Sequence, residues 1–268
     1  MILAGVLGSP ISHSLSPLLH NTIYDSLGID ATYRAYEVAS GDLRNFLDDK
    51  GSSLNCLSLT MPLKEEALTI ADSVSDISRE IQSGNTLHKV DGMWNLTSTD
   101  VEGFTHALDF NERNSKGNVL VIGAGATARA VIAGCDRISD KVTVVNRSSD
   151  REIAIRASAS NLEIDFVSWS DAINFESYNL VVNTTPGNTA AVFVDQVKSV
   201  TATYFEVLYN PWPTQLLAQW RKCGGFGIDG LDLLIHQAIS QASIFAARPM
   251  DRVSIAKILR SAGVKALS

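Results

Sequence analysis

Val119-Leu-Val-Ile-Gly123-Ala124-Gly125-Ala126-Thr127-Ala128-Arg129 reads as a buried strand that turns through GxGxxA into a helix. Each small residue has a mechanical task. Gly123 makes the tight turn, Gly125 lets the backbone approach a pyrophosphate, and Ala128 allows close helix–strand packing. The N–H groups opening the helix then face the phosphates. The pattern alone also fits a purely structural glycine turn. Its context, a strand before, a helix after and a second strand at 142–145, favours a dinucleotide. Outward from it, a helical stretch at 101–113 precedes strands at 118–122, 142–145, 164–167, 180–183 and 203–207 with helices between them, which predicts a doubly wound sheet.

The strand at 142–145 ends in Asn146-Arg147-Ser148. NAD-binding sheets usually place an acid there, about 20 residues on, for the ribose 2′-hydroxyl. Here no carboxylate is expected at that point to repel a phosphate. Arg147 can pair with a phosphate bidentately or stack on adenine, and its neighbours can donate hydrogen bonds. These residues predict NADP(H) rather than NAD(H); the plain alternative is that Arg147 is a solvated surface charge.

The N-terminal half shows a second alternation. Strands are expected at 2–7, 32–38 and 54–59, and amphipathic helices at 17–27, 42–50 and 64–71, with Gly28 as a helix C-cap and Asp91-Gly92 as a primed hairpin turn. This implies a mostly parallel sheet covered by helices. After Gly224-Gly225 and Asp229-Gly230 come a long helix at 231–247 and a shorter one at 251–262 with no strands of their own, expected to return to the first sheet. The fold class is therefore α/β in two domains. One is discontinuous, 1–100 with 231–268; the other is a Rossmann-type dinucleotide domain, 101–230.

A chain of 268 residues suits two ordinary domains. The net charge of −7 argues against nucleic acid or an anionic membrane as partner, but not against small anions held by local donors. No stretch is long and apolar enough to cross a bilayer, and the N-terminus runs straight into a strand rather than a secretory leader. Cys56, Cys135 and Cys223 are scattered without CxxC spacing, and the five histidines form no ligand motif. Neither a disulfide frame nor a metal site is expected, and a reducing, cytoplasmic setting is. His13, His20, Trp169, Trp212 and Trp220 read as packing or capping residues.

Gly8-Ser-Pro-Ile-Ser-His-Ser-Leu-Ser-Pro-Leu-Leu-His20 follows the first strand. Ser16 stands at an N-cap position with Pro17 at the first helical position, and Ser14 can point its hydroxyl to the same side. Two hydroxyls beside a helix N-terminus suit a small carboxylate, although the run by itself also reads as a capped turn. Ser58-Leu-Thr60-Met-Pro62-Leu-Lys64 follows a buried strand and places Lys64 in a first helical turn, at the carboxyl end of the strand where open α/β sheets bind ligands. A surface lysine ahead of Glu65 and Glu66 is the bland reading. Asn85, in Ser83-Gly-Asn-Thr86, and Asp100, in Ser98-Thr-Asp100, also fall at element ends. A Lys–Asp pair with an amide nearby is a workable carbonyl–alcohol site, the lysine moving the hydroxyl proton and the carboxylate orienting it.

Taken together, these segments resemble the shikimate dehydrogenase family over nearly the whole chain. The carrying motifs are Gly8 to Pro17, Thr60-Met-Pro-Leu-Lys64, Ser83 to Thr86, Thr99-Asp100, Gly123 to Ala128, Asn146-Arg-Ser148, Tyr209-Asn-Pro-Trp-Pro-Thr214 and Asp229-Gly-Leu with Gln237. The resemblance implies reversible NADPH-dependent reduction of 3-dehydroshikimate to shikimate, with a cleft between a substrate domain and an NADP domain. It further implies that Ser14 and Ser16, helped by Tyr209, hold the substrate carboxylate. Thr60, Asn85, Asp100 and Gln237 would hold the ring hydroxyls, and Lys64 and Asp100 would be the catalytic pair. Asn146, Arg147 and Ser148 would take the 2′-phosphate, with Gly230 near the nicotinamide and Thr184 and Thr185 approaching the cofactor from the far side. Family members include monomers and homodimers, so either is expected.

Five positions depart from the family pattern, the first being Ser98, which replaces an asparagine two residues before the catalytic Asp. Val101 replaces a glycine next to the catalytic Asp, Ala126 replaces a glycine in the phosphate loop, and Ser58 replaces an asparagine. Asp232 replaces a glycine and is expected to bring a negative charge near the nicotinamide. These leave room for a quinate or related cyclohexane-carboxylate dehydrogenase, or for a non-catalytic ligand sensor. Arg147 in place of an acid tells against the first, and the retention of Lys64 and Asp100 against the second.

Overall fold

The computed structural model describes residues 1–136 and 138–268. The elements in chain order are β1 (Ile2–Gly8), α1 (Ser16–Ser26), β2 (Ala31–Glu37), α2 (Leu43–Asp48), β3 (Cys56–Leu59), α3 (Leu63–Glu66), β4 (Ser73–Val74), α4 (Asp76–Glu80), β5 (Thr86–Val90), β6 (Met93–Thr97), α5 (Asp100–Phe110), β7 (Asn118–Ile122), α6 (Ala126–Cys135), β8 (Lys141–Asn146), α7 (Glu152–Ala157), β9 (Glu163–Ser168), β10 (Leu180–Asn183), β11 (Thr203–Glu206), α8 (Gln215–Lys222), β12 (Gly227–Ile228), α9 (Gly230–Phe245) and α10 (Arg252–Leu267). The chain divides into two compact units, Met1–Gly103 with Leu234–Ser268, and Phe104–Leu233. Both divisions fall inside helices, α5 and α9.

In the first unit the strand order is β2-β1-β3-β5-β6-β4. β1 is parallel to β2 and β3, while β5 runs against β3 and β6. The carboxyl ends of β1, β3 and β6 and the amino end of β5 therefore share one edge of the sheet. That edge carries Gly8, Thr60, Asn85 and the segment leading to Asp100. The β5–β6 turn has Asp91 at φ 52° and Gly92 at φ 82°, the left-handed pair a primed hairpin requires. Leu7, Leu57, Leu63, Leu87 and Leu96 fill the core beneath, and α10 packs on α1.

Two local expectations change. α1 begins at Ser16, so Leu15 rather than Ser16 is in the capping position. Leu15 already has helical angles, φ −81° and ψ −6°, and the Ser14 hydroxyl accepts the Ser16 N–H at 3.3 Å. The helix expected at 64–71 is one turn of α-helix followed by a 3-10 turn at Ala67–Thr69. The Lys64 carbonyl accepts the Gly84 N–H at 2.9 Å, which draws it out of the helical ladder.

In the second unit the order is β12-β11-β10-β7-β8-β9, and the strand pairs are parallel. The chain leaves β7 for β8 and β9 on one side, then crosses to β10, β11 and β12 on the other. The switch point lies between β7 and β10, where such sheets bind ligands. Both faces are covered. Val119 and Val121 pack with Val142, Val144 and Phe104, while Leu120 and Ile122 pack with Val181, Tyr204 and Trp220. Strands buried on both faces read as continuous apolar runs. No helix among the described residues is long and apolar enough to cross a membrane.

His20 is fully buried in the first unit, stacked on Tyr33 with ring centroids 4.1 Å apart. Burial pushes its pKa down from 6.5 to about 3. The unfolded chain takes a proton there near pH 6.5 and the folded chain does not until about 3, so the stability linked to His20 is present above 6.5 and lost as the pH falls. By pH 4 the loss is on the order of 3 kcal/mol. Urea unfolding at pH 7 and pH 4 should show a smaller drop for His20→Gln than for the unaltered chain; equal drops would contradict a neutral buried His20.

Candidate active site

At the shared edge of the first sheet, Lys64 Nζ donates to Asp100 Oδ2 at 2.6 Å, with side chains 16% and 5% exposed. The ammonium thus keeps a solvent-facing side while the carboxylate is buried. Residues 36 apart meet because α3 leaves β3 and α5 leaves β6 on the same edge. The second carboxylate oxygen, Asp100 Oδ1, accepts from Asn85 Nδ2 at 2.8 Å, and Asn85 Nδ2 also donates to Gln237 Oε1 at 2.8 Å. Both amide protons of Asn85 are thereby engaged. Gln237 reaches this point because α9 crosses α5 at Gly103, where an added Cβ would stand 3.0 Å from Gln237 Cβ. Lys64, Asp100, Asn85 and Gln237 therefore form one hydrogen-bonded cluster.

Thr60 lies at the same edge, its N–H donating to the Leu7 carbonyl at 2.9 Å. A side chain at Gly8 would collide with Thr60 Cγ2, so the glycine sets how closely β1 and β3 leave the sheet. Ser14 and Ser16 sit on the segment leaving β1, Ser16 buried and Ser14 half-buried. Tyr209, Thr184, Thr185 and Gly230 belong to the second unit.

The second unit's carboxyl-terminal edge carries the other expected residues. Gly123 has φ 107°, and an added Cβ would lie 2.6 Å from Thr184 Oγ1 and 3.0 Å from Thr185 Cγ2. Thr184 is fixed by donating its hydroxyl to the Ile122 carbonyl at 2.9 Å. At Gly125, beyond its two chain neighbours and among the described residues, only Arg151 Nη1 comes within 4 Å of where a Cβ would stand, at 3.5 Å. A bare backbone loop at the start of α6 with a guanidinium beside it fits a dinucleotide pyrophosphate. Next to it, Asn146, Arg147, Ser148 and Phe166 line a cavity of about 300 Å³. Gly230 is pressed against the Leu208 backbone, which leaves no room for a side chain.

Two expectations about charge need correction. The end of β8 is not free of carboxylate. Asn146 Nδ2 donates to Glu152 Oε1 at 3.2 Å and the Ser148 hydroxyl donates to Asp150 Oδ2 at 3.0 Å, because the 3-10 turn at Ser149–Arg151 folds these acids back. Asp232 is buried in the first turn of α9, where its Oδ2 accepts from Asn111 Nδ2 at 3.0 Å, and the helix N-terminus suits its charge. Its carboxylate is held inside the unit by that bond and does not lie on an exposed surface.

Two further residues stand at this edge with only a weak mark in the sequence. Arg151 follows Arg147 by four positions, and the same 3-10 turn brings it over Gly125; a second arginine at that spacing was the available signal. Glu206 ends β11 fully buried and accepts from Asn183 Nδ2, the Tyr204 and Thr214 hydroxyls and the Leu208 N–H. Burial raises its pKa above 4.5 against these bonds. It ties the end of β10 to the segment holding Tyr209, and its signal was an acid closing an apolar strand.

Residues 6–87 match the family model described as the shikimate dehydrogenase substrate binding domain. The shikimate dehydrogenase (NADP(+)) of Leptospira interrogans is 32% identical over 255 residues, spanning 90% of this chain and 88% of the relative. That of Oleidesulfovibrio alaskensis is 33% identical over 258 residues, spanning 92% and 91%. Among solved structures, Mycobacterium tuberculosis shikimate dehydrogenase matches with a TM-score of 0.87 at 32% identity, covering 97% of this chain and 99% of that one. The shikimate 5-dehydrogenase of Thermus thermophilus, solved with NADP(H) and shikimate, matches with a TM-score of 0.85 at 27% identity, covering 98% and 100%.

Proposed function

The chain belongs to the shikimate dehydrogenase family, and from that premise we propose which of its residues carry the reaction. It is an NADP-dependent oxidoreductase that reversibly reduces 3-dehydroshikimate to shikimate in aromatic amino-acid biosynthesis. We assign substrate to residues of the first unit, apart from Tyr209, and cofactor to the second unit. The observation that carries the assignment is the Lys64–Asp100 pair, 2.6 Å apart and backed by Asn85 and Gln237.

Lys64 Nζ gives a proton to the ketone oxygen in reduction and takes it from the hydroxyl in oxidation. Asp100 holds the ammonium on one carboxylate oxygen and is itself held by Asn85 on the other. NADPH, when bound, supplies the hydride that the ketone carbon receives. Ser14, Ser16 and Tyr209 hold the substrate carboxylate. Thr60, Asn85, Asp100 and Gln237 hold the ring hydroxyls, one hydroxyl replacing the Gln237 carbonyl on Asn85 Nδ2. Gly123 to Ala128 cradle the pyrophosphate; Asn146, Arg147, Ser148 and Arg151 take the 2′-phosphate; Thr184, Thr185 and Gly230 serve the nicotinamide side. Either a monomer or a homodimer accommodates this assignment. We place the protein in the cytoplasm, where its three free thiols, Cys56, Cys135 and Cys223, stay reduced.

A steady-state panel of shikimate and quinate, each with NADP and NAD, tests this reading. Shikimate with NADP should give the highest kcat/KM, because a site without a partner for quinate's extra hydroxyl discriminates strongly. A preference for quinate would overturn the substrate assignment. Ligand binding without NADPH oxidation on adding 3-dehydroshikimate would indicate a sensor.

A further inference from the structure

We propose that Thr86 and Gln241 are positioning residues for Asp100, the links that precede Asn85 in a one-directional hydrogen-bond array that crosses the core of the first unit and ends on that carboxylate. The inference rests on the reading of Asp100 as catalytic.

Two backbone groups set the direction. The Thr99 N–H can only donate, and it faces Asn85 Oδ1 at 2.8 Å. Asn85 Nδ2 must therefore point at Asp100 and Gln237. The Asn85 carbonyl can only accept, and it faces Gln241 Nε2 at 3.0 Å. Gln241 Oε1 must therefore point the other way, toward Ser58 Oγ at 2.8 Å and His20 Nε2 at 3.2 Å. Every remaining proton follows. Ser58 donates its single proton to Gln241 Oε1 and so accepts from the Tyr33 hydroxyl at 2.6 Å. His20 carries its proton on Nε2, and its Nδ1 accepts from the Tyr24 hydroxyl at 3.1 Å. Gln241 Nε2 donates its second proton to Thr86 Oγ1 at 3.1 Å, and Thr86 donates to Asn85 Oδ1 at 2.7 Å.

The donors thus run from Tyr24 and Tyr33 through His20, Ser58, Gln241, Thr86 and Asn85 to Asp100, and burial of the array is nearly complete. Hydrogen bonds aligned head to tail polarise one another in a low-dielectric interior. Donation to Asn85 Oδ1 strengthens the Asn85 N–H bond to the carboxylate and holds the carboxylate in the plane from which it grips Lys64. The neutrality of His20 fits, since an imidazolium would also protonate Nδ1 and leave the Tyr24 hydroxyl with no acceptor there.

Thr86→Val, Thr86→Ser and Gln241→Met test this through kcat and the separate KM values, with ring-nitrogen NMR of His20 in the unaltered chain. Thr86→Val and Gln241→Met should each lower kcat about tenfold with the NADP KM unchanged, and Thr86→Ser should stay within about twofold of the parent. The His20 signals should show Nε2 protonated and Nδ1 bare near pH 6. A bare Nε2 or an imidazolium would overturn the array even if a variant failed to fold. So would a fall in Thr86→Ser as large as in Thr86→Val, or parental rates in Thr86→Val and Gln241→Met while Asp100→Asn is slow. A fully active Asp100→Asn would instead overturn the catalytic reading, and with it the proposed role.

Discussion

Lys64→Ala is expected to lower kcat by about 10²–10⁴-fold, the range for losing a positioned general acid, while the KM for shikimate changes little. The asymmetry follows from the geometry. The carboxylate and ring hydroxyls of the substrate have other proposed partners in Ser14, Ser16, Thr60, Asn85 and Gln237. The oxygen that changes between ketone and alcohol is the one assigned to the ammonium. Truncation also leaves Asp100 buried without its charged partner and still held by Asn85, so a loss of about 1–3 kcal/mol in stability should accompany the loss of rate. Urea unfolding of the same samples separates the two effects, because a folded but slow enzyme is the expected result. Unchanged turnover would remove Lys64 from the chemistry.

Arg147→Ala should raise the KM for NADP by about 10–100-fold, as loss of a charge-assisted phosphate contact implies, with the KM for NAD moving by no more than about threefold. Arg151→Ala should act in the same direction, with a smaller difference between the cofactors because Arg151 also lies beside Gly125 and the proposed pyrophosphate. Asp150 and Glu152 complicate the balance. They hold Asn146 and Ser148, so a 2′-phosphate taken by these residues, as proposed, would have to displace or outcompete them. Glu152→Gln should therefore tighten NADP more than NAD. Equal changes in both cofactors for Arg147→Ala would defeat the assignment of the 2′-phosphate to this arginine.

What could be read from the chain depended on whether a physical constraint was local. The glycine loop was legible because turn, close approach and packing act within a few consecutive positions. Lys64 and Asp100 were legible as residues at element ends, and the parallel order of β1, β3 and β6 then brings those ends together. Arg151 was legible only as a second arginine four positions after Arg147; the 3-10 turn that brings it beside Gly125 was not. Nor were the fold-back of Asp150 and Glu152 and the inward burial of Asp232, which depend on where neighbouring side chains already sit. Gln241 and Thr86 are 155 residues apart and meet only through the return of α9 to the first sheet. Ser16 failed as a cap for a smaller reason: Leu15 adopts helical angles one residue early.

The central claim is that Lys64 and Asp100 handle the proton as one device. A double-mutant cycle on kcat with Lys64→Ala, Asp100→Asn and the combined variant, followed by NADPH absorbance after adding 3-dehydroshikimate, measures this directly. Residues that act as a unit lose their effect together, so the combined variant should be no more than about threefold slower than the slower single. If the two losses multiply, the ammonium and the carboxylate work independently and the account is wrong.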